Sequence, residues 1–300
     1  MLVAEGWQDY ELIDSGFGEK LERWGRYILR RPDPQALWSR ESSDGIWAKA
    51  DAVYHRNDKG GGHWENATQL PDKWVIGYKE LKFQVWPMQF KHTGVFPEQA
   101  VNWDWVGEKI ERERKRRLNN GCTDVVDVLN LFAYTGGATM AVVSAGARAC
   151  HVDASKGMVQ KAKENVALSG LPSDMTRYIV DDARKFVTRE IKRNKKYDGI
   201  IMDPPTYGRG PDGELWKIED QIFDLVNQCV KLLTPTPLFF IINSYASILS
   251  PATIGNILAL SVKRKYNGRV ICDEIGIKSG FGNVILPCGR CGRWEAPDER

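Results

Sequence analysis

The stretch that decides the fold is DVVDVLNLFAYTGG, residues 124–137, and the helix-forming segment 138–147 follows it. The short β-branched apolar run at 125–129 is typical of a strand buried on both faces of a parallel sheet. The run ends in Tyr-Thr-Gly-Gly, so the pattern predicts a strand that turns through Gly136 and Gly137 into a helix. Such a turn leaves free backbone N–H groups at the helix start and lets a ligand approach the main chain. The stretch is equally typical of an ordinary strand-to-helix turn in any α/β protein.

The composition is that of an ordinary soluble globular protein, with 42% hydrophobic and 27% charged residues among 300. A net charge of +3 and an isoelectric point near 8.4 permit a nucleic-acid partner without requiring one. The sequence predicts no signal peptide and no membrane-spanning run. Six scattered cysteines do not form a disulfide framework. We therefore expect a cytoplasmic protein without a membrane partner, and its oligomeric state stays open.

Residues 1–90 differ in pattern from the rest of the chain. Short alternating or aromatic segments, such as residues 9–13 and 81–86, are separated by Gly, Pro and Asp. This pattern predicts a small, mostly β domain that would hold RNA or another substrate. Residues 91–300 are predicted to form the second domain, which begins with a helix over residues 98–120.

From residue 124 onward, predicted strands and helices alternate. The strands are short apolar runs at residues 124–129, 149–153, 177–180, 197–202 and 238–242. Between them lie amphipathic segments with helical spacing, at residues 155–169, 183–193 and 216–233. Repeated strand–helix units with right-handed crossovers give a doubly wound sheet, so the predicted fold class is α/β and Rossmann-like.

Acidic residues follow the second and third predicted strands. Asp153 lies 17 positions after Gly136 (153 − 136), a spacing suited to a carboxylate that accepts hydrogen bonds from ribose hydroxyls. Asp182 could accept a hydrogen bond from an adenine amino group, although it could equally cap the helix that begins at Ala183. Acidic residues also end strands by chance, so this spacing alone does not define a site.

The fourth predicted strand ends in DPPTYGRG, residues 203–210. Two consecutive prolines remove two N–H donors and fix φ, which predicts a rigid corner just beyond the strand. The Asp203 carboxylate and the proline carbonyls would then face the crevice, Tyr207 could stack on a planar base, and Arg209 could meet phosphate. Combined with the glycine turn and the acidic strand ends, this corner indicates a binding site and not an ordinary loop that ends a strand.

These motifs resemble the class I S-adenosylmethionine-dependent methyltransferases, and most closely the large-subunit ribosomal RNA methyltransferases that modify cytosine C5 or guanine. The matching stretches occur in the expected order: KHTGVFPEQAVNW (91–103), VLNLFAYTGGAT (128–139), HVDASKGMVQKAKEN (151–165), DDARKF (181–186) and DPPTYGRG (203–210). The resemblance covers residues 80–245. It implies S-adenosylmethionine as cofactor, S-adenosylhomocysteine as product, and RNA, by analogy ribosomal RNA, as the partner.

The resemblance also implies roles for individual residues. Tyr134 to Gly137 would contact the methionine moiety, Asp153 the ribose and Asp182 the adenine, and residues 96–99 would form a lid. The implied cofactor site comprises Phe96, Gln99, Asn130, Phe132, Tyr134, Thr135, Gly136, Gly137, Asp153, Ala154, Ser155, Asp182, Ala183 and Asp203. The catalytic set is Asp203, Pro204, Pro205 and Tyr207, and the substrate contacts are Tyr207, Arg209 and Tyr245.

This chain departs from the family pattern in two places. Cytosine-C5 members carry a nucleophilic cysteine in a Ser-Cys-Ser corner after the fifth strand, where this chain has Tyr245 between Ser244 and Ala246. Methylation at cytosine C5 needs covalent attack at C6, and a tyrosine does not readily replace a thiolate there. We therefore predict direct methyl transfer to a nucleobase nitrogen. The lid also has Ala100 and Trp103 where the family usually has arginine.

Other readings of the chain stay open. A nicotinamide oxidoreductase would need a G-x-G-x-x-G turn, and TGGAT lacks that spacing. A non-catalytic RNA-binding or assembly factor would keep the cofactor pocket without the chemistry. An enzyme of the same class with a protein or small-molecule acceptor is a further alternative.

The remaining reactive or charged groups give weaker signals. Cys288 and Cys291 form a lone CxxC pair, which cannot complete a tetrahedral zinc site by itself, so no metal is predicted. The histidines lack motif spacing and are interpreted as structural. A basic cluster at residues 185–196 is interpreted as a solvated helix end, and the alternative is a surface that binds phosphates.

Overall fold

The computed structural model describes residues 1–57, 61–88, 91–210, 213 and 215–297. The chain divides into two compact units, which we call the β unit (Met1–Val101 with Ile275–Cys288) and the α/β unit (Asn102–Glu274 with Gly289–Arg300). The domain boundary predicted at residue 90 lies outside the described residues, and the observed division follows Val101.

The β unit is built mainly from short strands. They are β1 (Leu2–Ala4), β2 (Tyr10–Gly16), β3 (Glu19–Trp24), β4 (Tyr27–Pro32), β5 (Ala52–Arg56), β6 (Gly62–Asn66), β7 (Trp74–Tyr78) and β8 (Leu81–Val85). A short helix, α1 (Asp44–Trp47), lies between β4 and β5, and a 3-10 turn spans Pro97–Gln99. Strands β2 to β6 form one sheet in chain order, and β7 pairs with β8. The predicted small β region is therefore confirmed.

Alternating burial explains why these segments form strands. In β8, Leu81, Phe83 and Val85 are buried while Lys82 between them is exposed. Successive side chains of a strand point to opposite faces, so this sequence buries one face and solvates the other. The same period of two makes β4 bury Tyr27 and Leu29.

The α/β unit contains, in whole or in part, the remaining elements. In chain order they are α2 (Ala100–Asn119), β9 (Asp127–Leu131), α3 (Gly137–Ser144), β10 (Arg148–Asp153), α4 (Lys156–Leu168), β11 (Thr176–Val180), α5 (Ala183–Lys192), β12 (Gly199–Met202), β13 (Tyr207–Arg209), β14 (Leu215–Lys217), α6 (Ile218–Val230), β15 (Phe239–Ser244), α7 (Pro251–Leu258), α8 (Arg264–Tyr266), β16 (Arg269–Lys278) and β17 (Ile285–Glu295). A 3-10 turn at Ser173–Met175 precedes β11, and a π-helical segment at Ala259–Lys263 joins α7 to α8.

The main sheet of this unit has the order β17-β15-β12-β9-β10-β11. Strands β15, β12, β9, β10 and β11 pair in parallel, and β17 pairs antiparallel with β15. The chain runs from β9 through β10 to β11 on one side, then crosses to β12 on the other side. This reversal next to β9 is a topological switch point, where open α/β sheets bind ligands at the carboxyl ends of their strands. The predicted doubly wound α/β sheet is confirmed.

Helix and strand side chains pack into one apolar core within the α/β unit. Its members include Leu129 and Leu131 of β9 and Met202 of β12. Helix α6 contributes Ile222, Leu225 and other residues of its predicted inner stripe, all of which are buried. Among the helices of the described part of the chain, none combines the length and apolarity needed to cross a membrane.

Two predicted bounds differ from the structure in ways that affect the site. The first strand runs over Asp127–Leu131 instead of 124–129, because Asn130 is buried inside the sheet layer and the strand continues past it. The helix predicted over 216–233 spans Ile218–Val230, because residues 215–217 pair with 207–209 as a strand.

Candidate functional site

The carboxyl ends of four neighbouring parallel strands lie at one edge of the main sheet. Phe132 follows β9, Asp181 and Asp182 follow β11, and Asp203 follows β12, while Asp153 ends β10. A cavity of about 70 Å³ lies here, lined by residues from these strand ends and from the following loop: Phe132, Val152, Asp153, Ala154, Asp181, Asp182, Ala183, Pro205, Gly208, Arg209, Gly210 and Trp216. Sequence residues separated by more than 80 positions are thus brought together, as Phe132 and Trp216 show.

The turn after β9 has an unusual backbone that is held by hydrogen bonds to β10. Phe132 and Tyr134 adopt left-handed conformations, with φ of 56° and 51°. Such conformations are costly for residues other than glycine and persist where the surroundings fix them. The Ala133 N–H donates to the Val152 carbonyl at 3.0 Å, and the Tyr134 N–H donates to Asp153 Oδ2 at 2.8 Å. The turn is therefore locked against the end of β10.

Asp153 is the polar centre of this edge. Its Oδ1 accepts a hydrogen bond from the Ser155 N–H at 2.8 Å, and its Oδ2 accepts the one from Tyr134. Burial raises the pKa of Asp153, and the two backbone N–H groups offset part of that rise. A carboxylate oxygen can accept more than one hydrogen bond, so both oxygens retain acceptor capacity for a ligand diol. Ser155 itself caps α4, its Oγ accepting from the Met158 N–H.

Packing, and not ligand approach, requires glycine in the turn. A Cβ on Gly136 would lie 2.9 Å from the Ala162 Cβ, and one on Gly137 would lie 2.5 Å from the Trp103 ring. Gly136 also has a φ of 90°, which a side chain would disfavour. The expectation that the missing side chains clear space for a ligand is therefore corrected, because protein atoms fill that space.

Two residues assigned to the cofactor site lie in the packed interior. Asn130 donates through Nδ2 to Thr139 Oγ1 at 3.0 Å, and Thr139 Oγ1 also lies 2.9 Å from His151 Nδ1. Thr135 is buried, and its carbonyl accepts from Asn165 Nδ2 at 3.0 Å. Burial lowers the pKa of His151 to about 3, so this histidine is neutral at physiological pH. These buried side chains therefore stabilise the turn from the interior of the α/β unit.

Asp182 is a helix cap, one of the two roles that the sequence left open. Its Oδ1 accepts from the N–H groups of Arg184 and Lys185, each at 3.0 Å, at the start of α5. The side chain also lines the cavity, as does Ala183. Capping and ligand contact are therefore compatible here, since a carboxylate has acceptor positions beyond those that the helix uses.

Trp216 fixes the corner formed by Asp203, Pro204 and Pro205. Its indole Nε1 donates to the Pro205 carbonyl at 2.6 Å, and its ring lies 5.3 Å from the Phe132 ring. The Pro205 carbonyl, expected to face a ligand, is thus occupied by protein. Pro204 is buried, and the Asp203 N–H donates to the Leu131 carbonyl at 3.4 Å.

Trp216 was missed because it reads as the first turn of the following amphipathic helix. The signal that would have found it is a hairpin pattern: two short segments with aromatic residues flank GPDGE, residues 210–214. In the structure, β13 and β14 form this antiparallel pair, which we call the ribbon (Tyr207–Arg209 with Leu215–Lys217).

The corner after β15 contains Tyr245. Ser244 Oγ accepts from the Ala246 N–H at 3.1 Å, which fixes the turn. Tyr245 is half-buried, and a Cβ on Gly289 would lie 3.0 Å from its ring. The residue that stands in the place of the family cysteine is thus held against the neighbouring strand.

The predicted lid belongs to the β unit. The 3-10 turn Pro97–Gln99 follows Phe96, whose ring lies 5.4 Å from that of His92. Trp7 Nε1 donates to the Pro97 carbonyl at 3.0 Å, and Gln99 is buried. In the part of the chain that the structure describes, no three His, Cys, Asp or Glu side chains are grouped so as to hold a metal ion.

The fold and these strand ends define a ligand-binding site in an α/β protein, and comparison of sequences identifies the family. The chain belongs to the S-adenosylmethionine-dependent methyltransferases, whose family model matches residues 48–247. S-adenosylmethionine is therefore its cofactor.

Individual relatives agree with this family. A SAM-dependent methyltransferase from Agrobacterium tumefaciens has a TM-score of 0.91 and 35% identity, over 99% of this chain and 93% of that one. A ribosomal RNA large subunit methyltransferase K/L from Shewanella baltica is 26% identical over 253 residues, 77% of this chain and 33% of the relative. Its counterpart from Vibrio cholerae is 33% identical over 165 residues, 52% of this chain and 21% of the relative. The chain thus spans a third or less of the length of these two curated relatives.

Proposed function

We propose that this methyltransferase modifies a nitrogen of a nucleobase in RNA by direct transfer, without a covalent cysteine intermediate. The observation that carries the proposal is where the cysteines lie and how deeply they are buried. Tyr245 occupies the corner after β15 where a nucleophilic cysteine would stand, and the corner directly after β12, residues 203–210, contains no cysteine. A covalent mechanism at cytosine C5 needs a thiolate within reach of the base.

Burial holds most of the cysteines in the thiol form. It raises the pKa of Cys150, Cys272 and Cys291 to about 11 in each case. Burial also raises the pKa of Cys229 and of Cys288. The thiol, unlike the thiolate, is a poor nucleophile, so these side chains do not support covalent catalysis.

The strand-end residues fit the methyl donor. S-adenosylmethionine, when bound, supplies an electrophilic methyl group on a sulfonium. Asp153 offers two carboxylate oxygens to the ribose hydroxyls, and the Asp182 carboxylate lies beside the same cavity for the adenine amino group. Phe132, Ala154, Ala183 and Trp216 give the cavity apolar walls suited to a purine. The lid role of residues 96–99 stays part of the proposal.

The corner after β12 would hold the acceptor. Asp203 and the Pro204 carbonyl would orient a nitrogen of the base through hydrogen bonds, and Asp203 would accept its proton. Tyr207, with 55% of its surface exposed, would stack on the base. Direct attack on a methyl sulfonium needs little beyond proximity and alignment, which supply roughly 7–11 kcal/mol of barrier lowering. The Trp216 contact, which fixes the corner, supports that alignment.

RNA is favoured as the acceptor by the curated relatives, which are named as ribosomal RNA methyltransferases. Three tryptophans of the β unit are engaged in packing or in a hydrogen bond to the main chain. Trp24 and Trp47 are buried, and the Trp38 indole donates to the Ser15 carbonyl at 2.8 Å. The main role of these three tryptophans is therefore structural.

Labelled-methyl transfer tests this function. The purified protein is incubated with methyl-labelled S-adenosylmethionine and with RNA, protein and small-molecule fractions of a cell extract, and labelled RNA is digested to nucleosides. We expect label in RNA as an N-methylated nucleoside, and the same product after Cys122→Ala. Label in 5-methylcytidine would overturn the direct mechanism, and label confined to protein or small molecules would overturn the RNA acceptor.

A further inference from the structure

The ribbon has two different faces, which follow from its register. Tyr207 pairs with Lys217, Gly208 with Trp216, and Arg209 with Leu215. Directly opposed residues of an antiparallel pair share a face, and residues two apart along a strand share it as well. The two outer pairs therefore occupy one face, and the central pair occupies the other.

The face with Gly208 and Trp216 is turned into the α/β unit. Trp216 is 4% exposed, and its indole is bonded to Pro205. The Leu215 carbonyl accepts from Arg184 Nη2 at 3.3 Å and from Gln221 Nε2 at 3.2 Å. Hydrogen bonds from α5 and α6 thus fix the ribbon in place. The other face of the ribbon therefore has a fixed position beside the Asp203 corner.

The opposite face is exposed and cationic. Tyr207 and Leu215 are 55% and 41% exposed, and Arg209 and Lys217 are exposed as well. Within the described residues, neither Arg209 nor Lys217 makes an ion pair or a side-chain hydrogen bond. Within the paired strands and the rest of the described chain, this face therefore combines an exposed aromatic ring with two cations that no acidic side chain pairs with.

The basic cluster at residues 185–196 is different, because acidic side chains already pair with much of it. Arg189 pairs with Asp181, Arg193 with Glu190 at 3.1 Å, and Lys195 with Asp127 at 3.1 Å. The cluster is thus a solvated helix end stabilised by its own ion pairs. Of the two basic regions, the ribbon has the charge that an anionic partner can use.

We propose that the outer face of the ribbon binds the single-stranded RNA segment that adjoins the target base. Tyr207 stacks on a base, Arg209 and Lys217 contact phosphates, and the Leu215 side chain covers a sugar or base edge. Aromatic stacking beside cations is the common chemistry of single-strand binding. This inference rests on the proposed RNA acceptor and adds Lys217 and Leu215 to its contacts. It concerns the paired strands alone, because Asp212 and Glu214 of the connecting turn lie outside the described residues.

Salt-dependent RNA binding tests the proposal. Binding of a labelled single-stranded RNA oligonucleotide of mixed sequence is measured by fluorescence anisotropy over a series of potassium chloride concentrations. We expect Arg209→Ala and Lys217→Ala each to reduce the slope of log K against log salt by about 0.7, since each removes one phosphate contact. Tyr207→Ala is expected to weaken binding by about 5- to 100-fold without changing the slope, because stacking is not ionic.

Lys231→Ala provides the matched control, since Lys231 is an exposed lysine at the end of α6. Its RNA affinity and slope should equal those of the wild type, and S-adenosylhomocysteine binding should be unchanged in Lys217→Ala and Lys231→Ala, whose side chains do not line the cavity. If the ribbon variants keep the wild-type affinity and slope while RNA is still methylated, the ribbon proposal is wrong and the proposed function stands. If the wild-type protein neither binds nor methylates RNA, both fail. If the ribbon variants lose methyl transfer into protein but keep methyl transfer into RNA, the ribbon contacts a peptide and the proposal is wrong.

Discussion

Asp153→Ala is expected to weaken binding of S-adenosylhomocysteine by about 100-fold or more, because each hydrogen bond to a charged group contributes about 1.5–3 kcal/mol and two ribose hydroxyls lose their acceptor. The carboxylate stands at the end of β10 and lines the cavity. Isothermal titration calorimetry on the wild type and the variant measures the change directly. An affinity equal to that of the wild type would remove Asp153 from the cofactor site.

The variant needs controls, because Asp153 also holds two backbone N–H groups. Asp153→Asn keeps an acceptor oxygen for the main chain, and Asp174→Ala removes an exposed carboxylate elsewhere. Thermal unfolding of all three variants separates loss of fold from loss of binding. Burial raises the pKa of Asp153, so this carboxylate becomes protonated at a higher pH than an exposed aspartate. The affinity of the wild type for S-adenosylhomocysteine should therefore begin to fall at a higher pH. Asp153→Asn should lack this dependence.

Glu22→Gln is expected to destabilise the β unit by about 3–5 kcal/mol, the usual cost of leaving one partner of a buried ion pair uncompensated. Glu22 is fully buried and accepts two hydrogen bonds from the Arg31 guanidinium, at 2.6 and 2.8 Å. Tyr10 donates to the same carboxylate at 2.8 Å. Removing the charge leaves the Arg31 guanidinium buried among these groups without its counter-ion. Urea unfolding followed by tryptophan fluorescence measures the loss.

The pH dependence has a defined sign. Burial alone raises the pKa of Glu22, but the charges of Arg31 and Lys20 outweigh it and lower that pKa to about 2. The stabilisation is therefore complete above the ordinary pKa of 4.5 and is lost as pH falls from there towards about 2. Glu11→Gln is the control, since its ion pair with Arg23 is partly exposed and is worth about 1 kcal/mol or less. Equal stability of the two variants would contradict a dominant role for the buried pair.

The sequence predicted the fold and the strand ends well, because both depend on local patterns. Apolar runs that alternate with amphipathic segments specify a parallel sheet, and the acidic residues that follow the runs must then lie at one edge. Asp153, Asp182 and Asp203 were found in this way. None of these inferences needed the identity of a distant neighbour.

What the sequence did not predict depends on contacts between distant segments. Trp216 was assigned to the start of the helix predicted over residues 216–233, whereas its hydrogen bond to Pro205 becomes visible only in the folded chain. Gly136 and Gly137 were interpreted as room for a ligand, but Ala162 and Trp103 occupy that room. In each case tertiary packing decided the role of a residue whose local pattern allowed more than one.

A structure of the protein with bound S-adenosylhomocysteine tests the central claim most directly, namely that the carboxyl ends of β9 to β12 hold the methyl donor beside the Asp203 corner. We predict the ribose hydroxyls within hydrogen-bond distance of Asp153, the adenine in the cavity between Phe132 and Ala183, and the sulfur facing Asp203 and Pro204. Ligand density elsewhere in the chain, with these strand ends unchanged, would contradict the account.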